Sequence, residues 1–352
     1  MGGSERSLHA TSRMANGRNK TIRKKRVKPD EGPFMLSILL ILPDFLIILL
    51  GYLLKQGKLG QHFGEGFWKG AENIVFYVLF PPLLFTSVAN SKLSLADAGY
   101  FLTVAVGTMF LAVLLSWLVR KIVPADDVTH ASVFHCGFRF NSYVGFAIIM
   151  RLAGEEGFAF FAFLMAFWVP ISSSIAVSAL ADAVARAENA RKRGGLWKKT
   201  VKTIFSNPLI IATVSGLLVN VFAVPIPEVL MHFLKSLGNA SLAMGLLCIG
   251  AGLKIENLRA HFPLIAASTV ERLVAVPLVA LGTAWFFQLE PLGAAALLVF
   301  AALPTAQSCY VMTASMRGNA PIVAEVTTAH TLAAMATLPV WVAVIQNVFL
   351  AG

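Results

Sequence analysis

Ten long apolar runs, joined by short polar links, dominate this chain. They lie at approximately 34–54, 70–89, 98–119, 129–150, 157–181, 204–224, 229–253, 262–287, 292–316 and 321–350. A helix needs about 20 mostly apolar residues to span the hydrocarbon core of a bilayer, and most of the runs reach that length. Of the residues, 57% are hydrophobic and only 13% are charged, where a soluble domain has roughly 25% charged. So little charge cannot cover a water-facing surface. The expected fold class is all-α integral membrane, with about ten transmembrane helices.

The net charge of +11 is unevenly spread, with nine of the 29 basic residues in the first 28 positions and most of the others in the links. Charge placed in this way marks the cytoplasmic side of a membrane protein. It does not make the basic stripe expected of a nucleic-acid binder, so no nucleic-acid partner is expected. Residues 1–33 are polar and basic, with a composition expected to be disordered. The apolar stretch from Phe34 runs too far for a signal peptide and reads as a retained helix. Cys136, Cys248 and Cys309 all fall in apolar runs without zinc-type spacing, so they are expected to act as buried small hydrophobes. No metal and no cofactor is expected.

The polar stretch around 186–203 divides the runs into five and five. The halves resemble each other at a shift of 166: Asn73 falls on Asn239, Val133-Phe134 on Val299-Phe300, Asn141-Ser142 on Gln307-Ser308, and Met150-Arg151 on Met316-Arg317. Five is odd, so the second half enters the membrane from the opposite side. The expected layout is two inverted five-helix repeats, at 34–181 and 204–352, joined by a basic cytoplasmic loop at 182–203. Inverted repeats of this kind are common in secondary carriers. If the first helix begins outside, fifteen Lys and Arg fall in inside links and three, Lys92, Arg151 and Lys235, in outside links. That orientation puts the C-terminus outside, in the cell inner (plasma) membrane. The nine tail charges oppose it, which favours Met35 as the natural start.

Segments four and nine carry polar residues near mid-membrane at matched positions. Segment four holds His135 to Gly145, including Gly137, Arg139, Asn141 and Ser142. Segment nine holds Pro304, Thr305, Gln307 and Ser308. Proline removes a backbone donor and clashes with the preceding turn, and glycine permits unusual dihedrals. Both helices are therefore expected to break. Broken backbone at that depth survives only inside the protein or along a cavity. Half-helix N-termini there carry positive partial charge and suit an anion. Pro81-Pro82 is expected to kink segment two.

The opening Leu42-Pro43-Asp44-Phe45 … Gly51-Tyr52-Leu53-Leu54-Lys55, then Phe140-Asn141-Ser142 … Gly145, Asn207-Pro208-Leu209-Ile210 … Gly216, Ile249-Gly250-Ala251-Gly252-Leu253 and Ala302-Leu303-Pro304 together resemble the auxin efflux carrier family, in its bacterial permease branch. The resemblance runs from Met35 to the C-terminus. It implies ten helices in two inverted repeats, a crossover of helices four and nine, and both termini outside. It also implies elevator-like exchange of a small organic anion: an auxin in plants, dicarboxylates such as malate or malonate in bacteria. The family's crossover asparagine carries over to Asn141 and its crossover proline to Pro304. Segment four departs from relatives in having Gly137-Phe138-Arg139 where they often show proline and no charge. The difference bears on how that helix breaks and which substrate it accepts.

Arg139 has two readings: a bidentate partner for a substrate carboxylate, or one half of an internal ion pair with Glu271 or Asp44. Asn141, Ser142, Pro304, Thr305, Gln307 and Ser308 are the other expected substrate-binding residues. Asp44, Glu271 and Arg272 are candidates for ion coupling or ion pairing, and Asn73 and Asn239 for site contacts or interhelical hydrogen bonds. His135 reads best as a bonded structural histidine. The run Arg191 to Lys202 reads as an anchor to anionic lipid.

The expected function is secondary transport of a mono- or dicarboxylate by alternating access. The chain has no G-x-x-x-x-G-K-[ST] loop for ATP. The alternatives are an intramembrane enzyme, for which Ser308 and His330 are the only imaginable pair, and a solute-sensing receptor. Expected partners are a small organic anion and the lipid bilayer, with a homodimer as the assembly to test.

Overall fold

The computed structural model describes residues 33–56, 58–90, 95–188, 208–253 and 261–350. The basic tail, the run Arg191 to Lys202, Lys92 and the start of segment six lie outside the described residues.

The described residues form helices and no strand. In chain order these are α1 (Pro33–Gln56), α2 (Glu65–Ala89), α3 (Leu95–Ile122), α4 (Asp127–Phe134), α5 (Ser142–Ala187), α6 (Pro208–Val221), α7 (Glu228–Gly252), α8 (Phe262–Phe286), α9 (Pro291–Ala302), α10 (Ser308–Ser315) and α11 (Ala320–Val348). Seven, namely α1, α2, α3, α5, α7, α8 and α11, have long enough apolar stretches to cross a membrane; α6 and α9 are shorter apolar helices.

At 46 residues, α5 would extend about 70 Å if straight, at 1.5 Å per residue. It does not run straight. Gly154 has φ 63° and ψ −159°, a left-handed conformation that costs glycine little. Phe146 then stacks on Phe158 at 4.9 Å and meets Phe161 at 5.4 Å. Such contacts require the chain to double back at Gly154, which separates runs four and five where the hydropathy pattern places their boundary.

Segments four and nine break as expected. Helix α4 stops at Phe134 and the chain resumes as helix at Ser142; α9 stops at Ala302 and resumes at Ser308. The two restarts, Ser142 and Ser308, are 308 − 142 = 166 residues apart, the spacing of the sequence repeat. In α2 the irregularity is a wide π-turn at Val75–Leu79, just ahead of Pro81-Pro82. The two prolines withhold donors from the carbonyls of Tyr77 and Val78, and the turn loosens where that ladder fails. A second π-turn, Glu271–Ala275, precedes Pro277 in α8. The Leu273 carbonyl that Pro277 leaves free accepts the Trp341 indole N–H at 2.9 Å.

Helices α1, α2, α6 and α7 pack on one another, and α3, α4, α5, α8, α9, α10 and α11 form a second packed group. Large apolar side chains point outward over much of the surface, for example Leu46, Leu53, Tyr77, Phe222 and Trp285. An outward apolar coat of this kind suits lipid rather than water.

Ion pairs collect at two ends of the helices. At one end Asp127 binds Arg120 and Arg186, while Glu188 meets Arg317 at 3.4 Å. Here also Asn319, ahead of α11, donates from its side chain to Thr129 and from its backbone to Ser132, both at 2.9 Å and both in α4. Elsewhere Arg151 binds Asp44 at 2.8 Å and Lys235 lies 3.7 Å from Glu155, beside the Gly154 reversal.

Candidate functional site

The two breaks meet. The backbone N–H of Asn141 donates to the carbonyl of Pro304 at 2.9 Å, so the unwound stretches 135–141 and 303–307 are tied directly to each other. Unwinding frees carbonyls that need partners inside a low-dielectric interior, and side chains supply them. The Trp168 indole donates to the Phe138 carbonyl at 2.9 Å. Arg272, which is fully buried, donates to the carbonyls of Leu303 (2.8 Å), Phe300 (3.0 Å) and Gly137 (3.2 Å). One guanidinium fork thus gathers backbone from both broken helices.

Gly137 has no room for a larger residue. A Cβ there would run into the Ser116 hydroxyl and the Glu271 carboxylate. Glu271 is buried, and its Oε1 accepts from Ser116 Oγ at 2.9 Å. Glu271 thus bonds α3, while Arg272 bonds backbone at both breaks. The π-turn at Glu271–Ala275 lets both neighbours point inward.

Arg139 is half-buried. Its guanidinium donates to Ser308 Oγ at 3.1 Å and approaches Met312 Sδ at 3.5 Å. Neither suggested ion-pair partner reaches it: Asp44 is taken by Arg151 and Glu271 by Ser116. No ion pair of Arg139 is found among the described residues. Ser308 is the first residue of α10, so a full positive charge sits beside a half-helix N-terminus of the same sign.

Asn141 caps the other half-helix, its Oδ1 accepting from the N–H of Tyr143 at 3.2 Å. Its Nδ2 is buried and has no hydrogen-bond partner, a cost that buried donors seldom bear. Ser142 is half-buried beside it. Gln307 donates to the Ile249 carbonyl of α7 at 3.0 Å, which places the crossover against that helix. Pro304 and Thr305 are buried, and Thr305 Oγ1 lies 3.4 Å from Cys309 Sγ.

Other expected residues fall elsewhere. Asn73 and Asn239 are exposed on α2 and α7 and make no hydrogen bond among the described residues. Asp44 is buried 2.8 Å from Arg151 and joins α1 to α5 away from the crossover. The imagined Ser308–His330 pair does not form: His330 faces Ser268 at 3.3 Å while Ser308 serves Arg139. His135 bonds Thr313 at 3.0 Å and its Nδ1 is buried without a partner. Sequence spacing gives no hint that His135, Cys136 and Cys309 converge, yet their donor atoms lie within 4.8 Å of one another.

The family model for membrane transport proteins matches residues 36–342. The chain belongs to the auxin efflux carrier family. No curated protein matches it. As a family member it is a multi-pass membrane transport protein, and the carrier's two broken helices meet where the family resemblance places Asn141 and Pro304.

Proposed function

We propose that this carrier is a secondary transporter for a small organic anion, a mono- or dicarboxylate, bound at the crossover and moved by alternating access. In this reading its ten segments form two inverted five-helix repeats in the inner membrane, with the central loop cytoplasmic and the C-terminus outside. The proposal rests on Arg139, a half-buried guanidinium with no carboxylate partner among the described residues, which donates to the Ser308 hydroxyl at one half-helix start and stands two residues before Asn141, whose buried Nδ2 has no hydrogen-bond partner. A charge at this depth costs at least about 2.5–3.5 kcal/mol on insertion scales. A substrate carboxylate offsets that cost when it binds.

The inverted layout draws support from the 166-residue spacing of the two restarts and from Asn319, just past the end of segment nine, which bonds the start of segment four. The orientation draws support from the ion pairs: Arg120, Arg186 and Arg317, all counted as inside, share one end with Asp127 and Glu188.

The test is uptake into proteoliposomes across a panel of mono- and dicarboxylates, comparing the native chain with Arg139→Gln and Arg139→Lys. A hydrogen bond to a charged group contributes about 1.5–3 kcal/mol, so Arg139→Gln is expected to raise KM on the order of tenfold to a hundredfold. Arg139→Lys keeps the charge without the fork and falls between. Unchanged affinity for every transported anion would remove Arg139 from the site.

A further inference from the structure

A cavity of about 360 Å³ lies among α3, α4, α5 and α8, and two of its lining residues, Ser116 and Glu271, abut Gly137. Its lining follows one face of each long helix. Along α5 the lining residues are Ile175, Ala179, Asp182 and Arg186, and along α8 they are Leu264, Ser268 and Glu271. These spacings of three and four residues keep one face toward the space. From Ile175 to Arg186 is 11 residues, so the groove is about 16 Å long at helical rise. One end is set by the ion-paired Arg120, Asp127 and Arg186 at the ends of their helices. The other end reaches Ser116 and the buried carboxylate of Glu271.

The groups around Glu271 limit what it can take. Arg272 adjoins it in α8, His330 of α11 stands behind Ser268, and α4 contributes His130 and Asp127. Asp182 and Arg186 come from α5 and Arg120 from α3, while His135 and Arg139 flank Gly137 in the break; α9 has no charged residue between Pro291 and Ala302. A metal cation wants several oxygen ligands, and here it would meet one carboxylate, one hydroxyl and the Arg272 cation. A proton needs only the carboxylate.

The link to the crossover is direct. Arg272 holds the Gly137, Phe300 and Leu303 carbonyls, and the Glu271 carboxylate abuts Gly137 itself. Placing a proton on Glu271 removes the anion beside Arg272 and changes the balance between its pull on those carbonyls and its pull on the carboxylate. We propose that Glu271 is a proton-binding site filled through this cavity and coupled through Arg272 to the crossover, so that the carrier links anion movement to a proton. The proposal rests on the anion-carrier reading above and names its coupling ion. In the step itself a hydronium ion reaching the groove transfers a proton to the Glu271 carboxylate and leaves water; once the broken helices face the other side, the proton passes from the carboxyl to water there.

Two measurements on the full chain test it. In nanodiscs, infrared difference spectra taken across pH are expected to show a buried carboxyl C=O band that Glu271→Gln removes and Glu271→Asp shifts. In proteoliposomes, each variant's carboxylate accumulation is compared with and without an imposed pH gradient. One coupled proton changes the accumulation ratio about tenfold per pH unit, and Glu271→Gln is expected to lose that response. A native chain with no such band, or a band that neither variant alters, overturns the proton site. A Glu271→Gln variant that responds to the gradient as the native chain does overturns the coupling. If Glu271→Gln does not survive purification, the shifted band in Glu271→Asp decides. If the native chain moves no carboxylate at all, the anion reading and the coupling fall together, while the infrared result still decides the proton site.

Discussion

Arg272 and Arg139 are both arginines near the break, yet they do opposite work. Arg272 is fully buried and spends its donors on three carbonyls, those of Gly137 and Leu303 in the breaks and of Phe300 in the last turn of α9; Arg139 is half-buried and, among the described residues, meets a hydroxyl and a thioether. Each buried acceptor left without a partner costs about 1–3 kcal/mol. Arg272→Met is therefore expected to destabilise the protein by about 3 kcal/mol or more, read as a lower Tm in detergent, with Arg272→Lys intermediate. Arg139→Gln is expected to leave Tm nearly unchanged. An equal loss of Tm in both would contradict this division. The sequence showed that both arginines lie at a depth where charge needs a reason, but not which reason. The partners of Arg272 are backbone carbonyls 28, 31 and 135 residues away, and no side-chain pattern announces a carbonyl.

At the scale of elements, the breaks were legible because proline and glycine act locally. Pro304 removes a backbone donor and Gly137 frees the backbone beside it, polar residues cluster around both, and Asn141 is a good N-cap by its own chemistry; Pro43, Pro170 and Pro339, without such clusters, stay inside helices. Which face of a helix looks inward was not legible. Lipid and protein core are equally apolar, so a membrane helix that is apolar all round gives no stripe to follow. Asn73 and Asn239 are matched by repeat position alone, and both are exposed. The cavity beside Glu271 was hidden for the same reason. Helix α4 allows a test outside the membrane interior. Asp126 precedes it, and its side chain accepts from the Thr129 N–H at 2.9 Å. Hydrogen bonds from the Thr129 side chain and from its N–H hold the Asp126 carboxyl below the usual range. Asp126→Ala is expected to cost about 1 kcal/mol. Because the folded-state value is depressed, the charged part of this contribution is present above the ordinary aspartate pKa and fades as pH falls through the folded value. The Tm gap between native and Asp126→Ala proteins should thus be full at neutral pH and narrow below about pH 4. A gap constant down to low pH would show that the carboxylate charge plays no part.

Over the whole molecule, two packed helix groups meet along α7, α5 and α11, and the crossover of one group rests on α7 of the other through Gln307 and Ile249. In the proposed alternating access, one group shifts against the other while the substrate stays with the broken helices. The most direct measurement places a single cysteine at Ser308, with the three buried native cysteines replaced by alanine, and follows its labelling in sealed vesicles by membrane-impermeant thiol reagents applied to each face in turn. Labelling from both faces is expected, slowed from both by any carboxylate that the carrier transports. Labelling from one face only, or at a rate that no transported anion alters, would contradict a substrate site at the meeting of the two broken helices.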